Sequence, residues 1–430
     1  MALDFTHDPS ATSWVASANG GSDFAVQNLP LAVFRRRGDL QYRGGVAIGE
    51  QIVDLAALAA AAPFEGLAAQ ALLAASQPKL NGFMHMGPPA WQALREALFR
   101  WLQAGATPQP AFLRPQDQAE YTLPTQIGDY TDFYTSYHHA LNIGKLFGIP
   151  EVSLNFHHIP TAYHGRASSV VISGTPVRRP VGQSKKPDAA APTLGPCQWL
   201  DYELELGLYI GHGNRLGDTI ALESAEQHLF GICLLNDWSA RDIQGWEMQP
   251  LGPFQAKNFS TSVSPWIVTM AALTPFRCRW QREAAFPQPL AYLDTAGNRD
   301  TGGIDIQLEV GIQPATHRTP AWLTRTSFRH QHWTPAQMLT HHTVGGCNLQ
   351  PGDLLGSGTI SGPTAAEAGA MMELAQAGRA PVALGDSGDS RGFLADGDTV
   401  VFRGWCEAPG WARIGFGECR GTVLPARTDF

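Results

Sequence analysis

From Leu200 to Ile210 the chain reads Leu-Asp-Tyr-Glu-Leu-Glu-Leu-Gly-Leu-Tyr-Ile. Written as a β-strand, alternate side chains leave on opposite faces. Tyr202, Leu204, Leu206 and Leu208 then form an apolar face, and Asp201, Glu203 and Glu205 share the other. Three like charges on one face repel unless water or a cation compensates them. The row is therefore a solvated strand face or one wall of a cation site. An exposed edge strand usually carries Lys or mixed charge, which favours the second reading.

A second group follows the apolar run Phe230–Leu235. Asn236 and Asp237 are both good helix N-caps, so a helix is predicted to follow them. On it Arg241, Gln244 and Met248 stand four, seven and eleven residues beyond Asp237 and face the same way. A carboxylate, a guanidinium and an amide looking into one space suit a polar, anionic substrate; a helix cap with a local ion pair is the plainer alternative. Upstream, Asp129-Tyr-Thr-Asp132-Phe-Tyr134-Thr-Ser-Tyr-His138-His139 adds two carboxylates, aromatic rings and a histidine pair. A lone histidine is more often structural than a base, and the nearby carboxylates are what raise these. Lys257 lies in the Gly/Pro loop from Gly252 to Thr261, where few other charges compete. Brought near carboxylates and a cation, it would balance charge or stabilise an oxyanion.

Other motif matches carry less. Gly388-Asp-Ser390-Arg-Gly392 fits GxSxG but runs into an Asp396-Gly397 turn, not the helix a nucleophile elbow needs. Gly211-His-Gly213 and Gly415-Phe-Gly417 miss the dinucleotide fingerprint by one residue, since the third glycine comes at Gly217 and Gly421. His330, His332, His341 and His342 have no diagnostic metal spacing and read as structural.

These groups must be positioned by a chain of 430 residues, long enough for two or three domains. Hydrophobic residues reach 44%, and charged ones 16% against an average of about a quarter. That balance argues for large apolar interfaces and against disorder. A formal net charge of −8 makes the chain a poor candidate for binding a phosphate backbone. The 45 glycines and 31 prolines favour a turn-rich, β-rich fold. Six scattered cysteines without a CxxC pair read as buried, reduced thiols. The apolar stretch Leu55–Ala75 is broken by Pro63 and Glu65 and is too short to span a membrane. The first residues lack the basic start and apolar run of a signal peptide, so a cytoplasmic protein is predicted. Residues 1–21 read as a loose lead-in. Phe24–Phe34 and Val46–Leu55 read as short strands, and a helix is predicted from Pro88 with Trp91, Leu94, Leu98, Trp101 and Leu102 as its core stripe. The Pro- and Gln-rich stretch 104–127 marks a boundary between an N-terminal part, 22–124, and a β-dominated part, 125–430, with strands such as Val170–Ile172, Leu204–Ile210 and Val400–Phe402.

Taken together, Asp129-Tyr-Thr-Asp-Phe-Tyr, Tyr163-His-Gly-Arg-Ala-Ser-Ser, Asp201-x-Glu-x-Glu, Asn236-Asp-Trp-Ser-Ala-Arg-Asp-Ile-Gln, Leu251-Gly-Pro-Phe and Gly358-Thr-Ile-Ser-Gly resemble the fumarylacetoacetase family, in order and spacing. Gln27-Asn-Leu-Pro and Gly45-Val-Ala-Ile-Gly resemble its N-terminal part. The resemblance implies a hydrolase that cuts a carbon–carbon bond of a β-diketo acid, giving fumarate and acetoacetate at the end of tyrosine and phenylalanine breakdown. It implies a β-rich α+β chain, with a small SH3-like β-barrel domain and a large mixed β-roll domain, assembled as a homodimer. Asp132, Glu203, Glu205 and Asp237 would bind an active-site Ca²⁺ or Mg²⁺. A second Mg²⁺ would lie near Asp237, Lys257, Ser260 and Thr261. His139 would be the general base, oriented by Glu373, and Arg241, Gln244 and Lys257 would stabilise the oxyanion. Tyr134, Tyr163, Gln244, Thr359 and the residue at Met248 would contact substrate.

Two positions depart from that pattern. Met248 stands where the family has a substrate-binding Tyr, and Gly148 where it has an Arg, with Lys145 the nearest cation. Losing a phenol and a guanidinium removes two partners for a substrate carboxylate, which predicts a shifted or broadened acid preference. Related activities on the same carboxylate set, an acylpyruvate hydrolase or a decarboxylase or isomerase, are the nearest alternatives. A Ca²⁺-dependent binding module is a more distant one, with no use for His139, Arg241 and Lys257.

Overall fold

The structure, a computed structural model, describes residues 2–149, 151–385 and 388–429. The N-terminal part is a five-stranded antiparallel sheet of β1 (Leu31–Arg36), β2 (Arg43–Ile48), β3 (Gln51–Asp54), β4 (Leu113–Pro115) and β5 (Ala119–Thr122), in the order β4-β3-β2-β1-β5. The expected strand Val46–Leu55 is a hairpin, because Gly49 takes a φ of 56° and turns the chain between Ile48 and Gln51. Asp54 then caps α1 (Leu55–Ala60) by accepting from the Ala57 N–H. The segment 24–30 is a turn, and the strand starts only at Leu31. The lead-in is not loose: Thr6, His7, Ser13, Val15 and Ala18 are buried, and the Ser13 hydroxyl donates to the Leu102 carbonyl at 2.7 Å. Small polar residues there satisfy neighbouring backbone groups instead of meeting solvent.

Helices α2 (Gly66–Ala75), α3 (Asn81–His85) and α4 (Pro88–Leu102) cover this sheet. On α4 the predicted stripe Trp91, Leu94, Leu98, Trp101 and Leu102 is buried throughout. Its first member crosses into the second part, where the Trp91 ring meets Phe230 edge-on at 5.2 Å and Phe83 meets the same ring at 5.6 Å.

That second part is built on a mixed sheet containing β6 (Tyr130–Phe133), β7 (Ala162–His164), β8 (Val170–Ile172), β9 (Leu204–Ile210), β10 (Leu229–Asp237), β11 (Thr261–Val263) and β12 (Leu354–Gly356). Their spatial order is β7-β6-β12-β9-β10-β11-β8, with Val268–Thr269 also pairing β10. A five-stranded sheet of Ala321–Ser327, Gln307–Gln313, Thr399–Cys406, Ile414–Leu424 and Val177–Arg178 packs against it. Period-2 alternation divides the work of β9. Leu204, Leu206 and Leu208 enter the core between the sheets, with Ile232, Leu234, Leu308 and Phe402. Tyr209 faces the opposite way, with Cys233, Leu235, Val263, Leu354 and Tyr130, toward the N-terminal part. Glu205 belongs to this second face. Further along the strands it therefore changes from apolar to acidic.

Two sequence readings fail here. β10 runs through Asn236 and Asp237, so neither caps a helix; α6 begins at Arg241 and is short (Arg241–Glu247). Asp237 is held in register opposite Thr261, which makes it a sheet residue. The acidic row is also interrupted. Leu200–Asp201 pairs Ser239–Ala240 as a separate two-stranded piece, so Asp201 leaves the line that Glu205 follows. Of the cysteines, Cys197, Cys233, Cys406 and Cys419 are buried and all six are free, but Cys347 is exposed.

Phe230 is one of several buried residues of the second part that pack against the first. Phe230→Ala is expected to lower stability by about 3–5 kcal/mol, the usual cost of emptying a buried aromatic site. Urea unfolding measures it; a loss under 1 kcal/mol would show that α4 does not depend on the second sheet.

Candidate active site

α5 (Tyr137–Leu146) starts because the Ser136 hydroxyl accepts from the His139 N–H at 3.2 Å. The cap places His139 in the first turn, with Asn142 three residues on along the same face. Both reach Glu373. His139 Nδ1 lies 2.7 Å from Glu373 Oε2, and Asn142 Nδ2 donates to Oε1 at 2.9 Å. The Ser361 hydroxyl adds a third contact, to Oε2 at 2.8 Å. Burial pushes the Glu373 carboxyl up, but the imidazole and these donors hold it below the ordinary carboxylate range. With Nδ1–H given to a carboxylate, Nε2 is left as the proton-accepting atom.

Glu373 rides on the short helix Met371–Leu374, whose leading N–H groups are held by Asp201. The Met371 and Met372 amides donate to its two oxygens at 2.8 and 3.0 Å. Asp201 also anchors Arg241, accepting from Nε at 2.9 Å. Arg241 Nη1 then meets Glu203 Oε1 at 2.8 Å and the Gln244 amide oxygen at 3.3 Å. The other oxygen of Glu203 is in close contact with Lys257 Nζ, which also reaches Asp237 Oδ2 at 2.6 Å. Burial raises the carboxyl of Glu203, yet Arg241 and Lys257 together bring it well below the usual range. Burial likewise lowers both cations, and the surrounding carboxylates more than reverse it.

Asp132, Glu205 and Asp237 form a different environment. One oxygen from each lies within 4.8 Å of the others, the only such group of three among the described residues. Asp237 accepts from Tyr163 at 3.0 Å and from Thr261 at 2.9 Å, besides Lys257. Glu205 Oε2 accepts only the Gly358 N–H, at 3.0 Å. Asp132 Oδ1 and Glu205 Oε1 are buried with no hydrogen-bond partner. Burial, followed by repulsion from the neighbouring acids, pushes both carboxyls well above the ordinary range. Orphaned carboxylate oxygens, without imidazole or thiol among them, fit a hard divalent cation.

The remaining expected residues surround this centre to different degrees. Tyr134 sets its ring edge-on to His139 at 5.4 Å. Thr359 is buried in the loop after β12, next to Gly358. Ser260 is buried beside Thr261 at the start of β11. Met248 ends α6 and is 42% exposed, outside this enclosure. Glu203 stands slightly apart from the group of three, taken up by two cations. The acids are not solvated: Asp132, Asp201, Glu203, Glu205 and Asp237 are all buried. The sequence reading missed Asn142 and Ser361, and missed Asp201 as the link between Arg241 and the helix of Glu373. For Asn142 a local signal exists, its i+3 spacing from His139. Ser361 and Asp201 act through contacts that no local pattern announces.

Comparison with known proteins agrees over nearly the whole chain. Residues 129–424 match the family described as "Fumarylacetoacetate (FAA) hydrolase C-terminal", and residues 27–124 the one described as "Fumarylacetoacetase N-terminal". The chain is 47% identical over 416 residues to fumarylacetoacetase of Homo sapiens, covering 94% of this chain and 97% of that protein. Over 420 residues it is 46% identical to the Bos taurus fumarylacetoacetase, at the same coverages. A solved fumarylacetoacetate hydrolase from Exiguobacterium antarcticum aligns over 93% of this chain and 100% of its own, with 18% identity and a TM-score of 0.52, a likeness of fold.

If the group of three holds a cation, Ca²⁺ or Mg²⁺ should raise the melting temperature and EDTA should reverse the rise. Cation at a hundred times its Kd corresponds to about 2.7 kcal/mol. Because Asp132 and Glu205 titrate above their unfolded values, the cation-free fold loses stability as pH rises through their folded pKa values. The cation must also displace their protons at low pH. The cation-induced rise should therefore be larger at pH 8 than at pH 5, and Glu205→Gln should abolish it. A rise independent of pH and of Glu205 would place the ion elsewhere.

Proposed function

The chain belongs to the fumarylacetoacetate hydrolase family, and from that membership and the buried geometry we propose that it hydrolyses fumarylacetoacetate to fumarate and acetoacetate. The observation that carries the reading is the His139–Glu373 pair at 2.7 Å, set against a buried carboxylate group with unpaired oxygens. A binding module would need the carboxylates alone.

In this reading Asp132, Glu205 and Asp237, with Glu203 behind them, hold a Ca²⁺ or Mg²⁺. Ca²⁺ is preferred, since it accepts several carboxylates while Mg²⁺ keeps most of its waters. When bound, the ion supplies a Lewis acid for the oxygen charge of a 1,3-diketone. A second Mg²⁺ near Asp237, Lys257, Ser260 and Thr261 belongs to the same proposal. His139 Nε2 takes a proton from water, whose oxygen bonds to the carbonyl carbon. Glu373 fixes the tautomer and steadies the imidazolium that results. Arg241, Gln244 and Lys257 oppose the charge on the tetrahedral oxygen. The carbon–carbon bond then breaks, and the departing carbon takes up the proton that His139 removed from water, which restores the neutral imidazole. No covalent bond to the protein is required. Tyr134, Tyr163 and Thr359 line the substrate's place, with Met248 at its exposed rim. Met248 and Gly148 offer no phenol or guanidinium to a substrate carboxylate, so other 2,4-diketo acids are accepted as well.

The same reading takes 22–124 as an SH3-like barrel domain and 125–430 as a mixed β-roll domain. It places a homodimeric enzyme in the cytoplasm, at the end of tyrosine and phenylalanine catabolism. No helix of the described residues is long and apolar enough to cross a membrane.

Turnover of fumarylacetoacetate and a panel of 2,4-diketo acids, with products identified and with a chelator arm, tests this directly. His139→Ala should lower kcat by roughly 10²–10⁴-fold while keeping the cation-induced rise in melting temperature. Unchanged turnover removes His139 as the base. A strong preference for fumarylacetoacetate over the panel shows that the positions of Met248 and Gly148 do not broaden the substrate range.

A further inference from the structure

Tyr130 lies two residues before Asp132 on β6, so both side chains leave the strand on the same face. Its ring belongs to the apolar layer with Tyr209, Cys233, Leu235 and Leu354, and only 2% of the residue is exposed. Gly165 lets the ring lie flat against the neighbouring strand end, since a Cβ there would fall 2.2 Å from its Cδ1. The hydroxyl emerges where that layer gives way to the acids. A Cβ on Gly356 would meet Asp132 Oδ1 at 2.7 Å, Glu205 Oε2 at 3.0 Å and the Tyr130 hydroxyl at 3.0 Å. Three oxygens thus converge on one point, which glycine leaves open.

The Tyr130 hydroxyl is buried without a hydrogen-bond partner, as are Asp132 Oδ1 and Glu205 Oε1. A buried phenol normally has one, and leaving it unpaired costs about 1–3 kcal/mol. If packing alone mattered, phenylalanine would fill the same space without that cost. An unpaired donor that faces the same point as the unpaired Asp132 Oδ1, with Glu205 Oε2 beside them, supports a role in holding the Asp132 carboxylate.

We propose that Tyr130 is a positioning residue of the cation site, its single hydroxyl proton given to Asp132 Oδ1 when the ion is bound, so that the remaining carboxylate oxygens of Asp132 and Glu205 face the ion. Partners of this kind behind metal-binding side chains are worth about 10–100-fold in affinity. The inference rests on the cation reading above and deepens it by adding a residue that does not itself bind the ion.

Tyr130→Phe tests it, with Ca²⁺ affinity measured by titration calorimetry and melting temperature measured in EDTA. Ca²⁺ binding should weaken by about 10–100-fold, and excess Ca²⁺ should restore most of the turnover lost at low Ca²⁺. The melting temperature in EDTA should stay level or rise, because an unpaired buried hydroxyl has gone. A purely structural role would instead lower it and leave the Ca²⁺ affinity unchanged, which overturns the proposal. So does an unchanged affinity at unchanged stability. Should the wild-type protein bind neither Ca²⁺ nor Mg²⁺, the cation reading itself fails, an outcome separate from any effect of Tyr130.

Discussion

Like charges buried together must be answered by something, and the placement of Asp132, Glu203, Glu205 and Asp237 on or beside the adjoining ends of β6, β9 and β10 makes this the governing constraint. The answer is unequal. Arg241 and Lys257 both close on Glu203, while Asp237 receives Lys257, Thr261 and Tyr163. Asp132 and Glu205 receive almost nothing. Compensation on one side fixes Glu203 as an anchor, and its lack on the other leaves oxygens free. A hard cation is the one kind of partner that satisfies several such oxygens at once.

The surrounding fold keeps that imbalance in place. Strands β6, β12, β9 and β10 are hydrogen-bonded neighbours, so the carboxylates they carry cannot drift apart without breaking the sheet. Asp201 extends the order outward by holding Arg241 with one oxygen while both oxygens grip the helix that carries Glu373. Glu373 then sets the imidazole of His139. The acid group and the His139 imidazole are therefore parts of one network, and the apolar contact between α4 and Phe230 closes the sheet's acid-bearing face at its far end. Gly356 matters to both halves, because a side chain there would fill the space on which the oxygens converge.

Much of this was legible in the sequence where the signal is local. The strand Leu204–Ile210, the strand Val170–Ile172 and the stripe of α4 follow from periodicity, which depends only on near neighbours. Asn236 and Asp237 misled because a good capping residue can also end a strand, and pairing with β11 decides between the two. The row Asp201, Glu203 and Glu205 looked continuous because a break between paired pieces leaves no mark in composition. His139 and Glu373 are 234 residues apart, so only resemblance to a family could join them beforehand. Tyr130 was overlooked because an aromatic residue on a strand reads as core, and its ring does lie in the core; only the far end of the side chain does anything else.

Crystals of the protein soaked in Mn²⁺, with the ion located by anomalous scattering, show whether these acids hold a cation. One strong peak is expected within about 2.0–2.6 Å of carboxylate oxygens from Asp132, Glu205 and Asp237, with His139 still paired to Glu373. A peak at another set of residues, or no peak while these acids point away from one another, would contradict the cation reading.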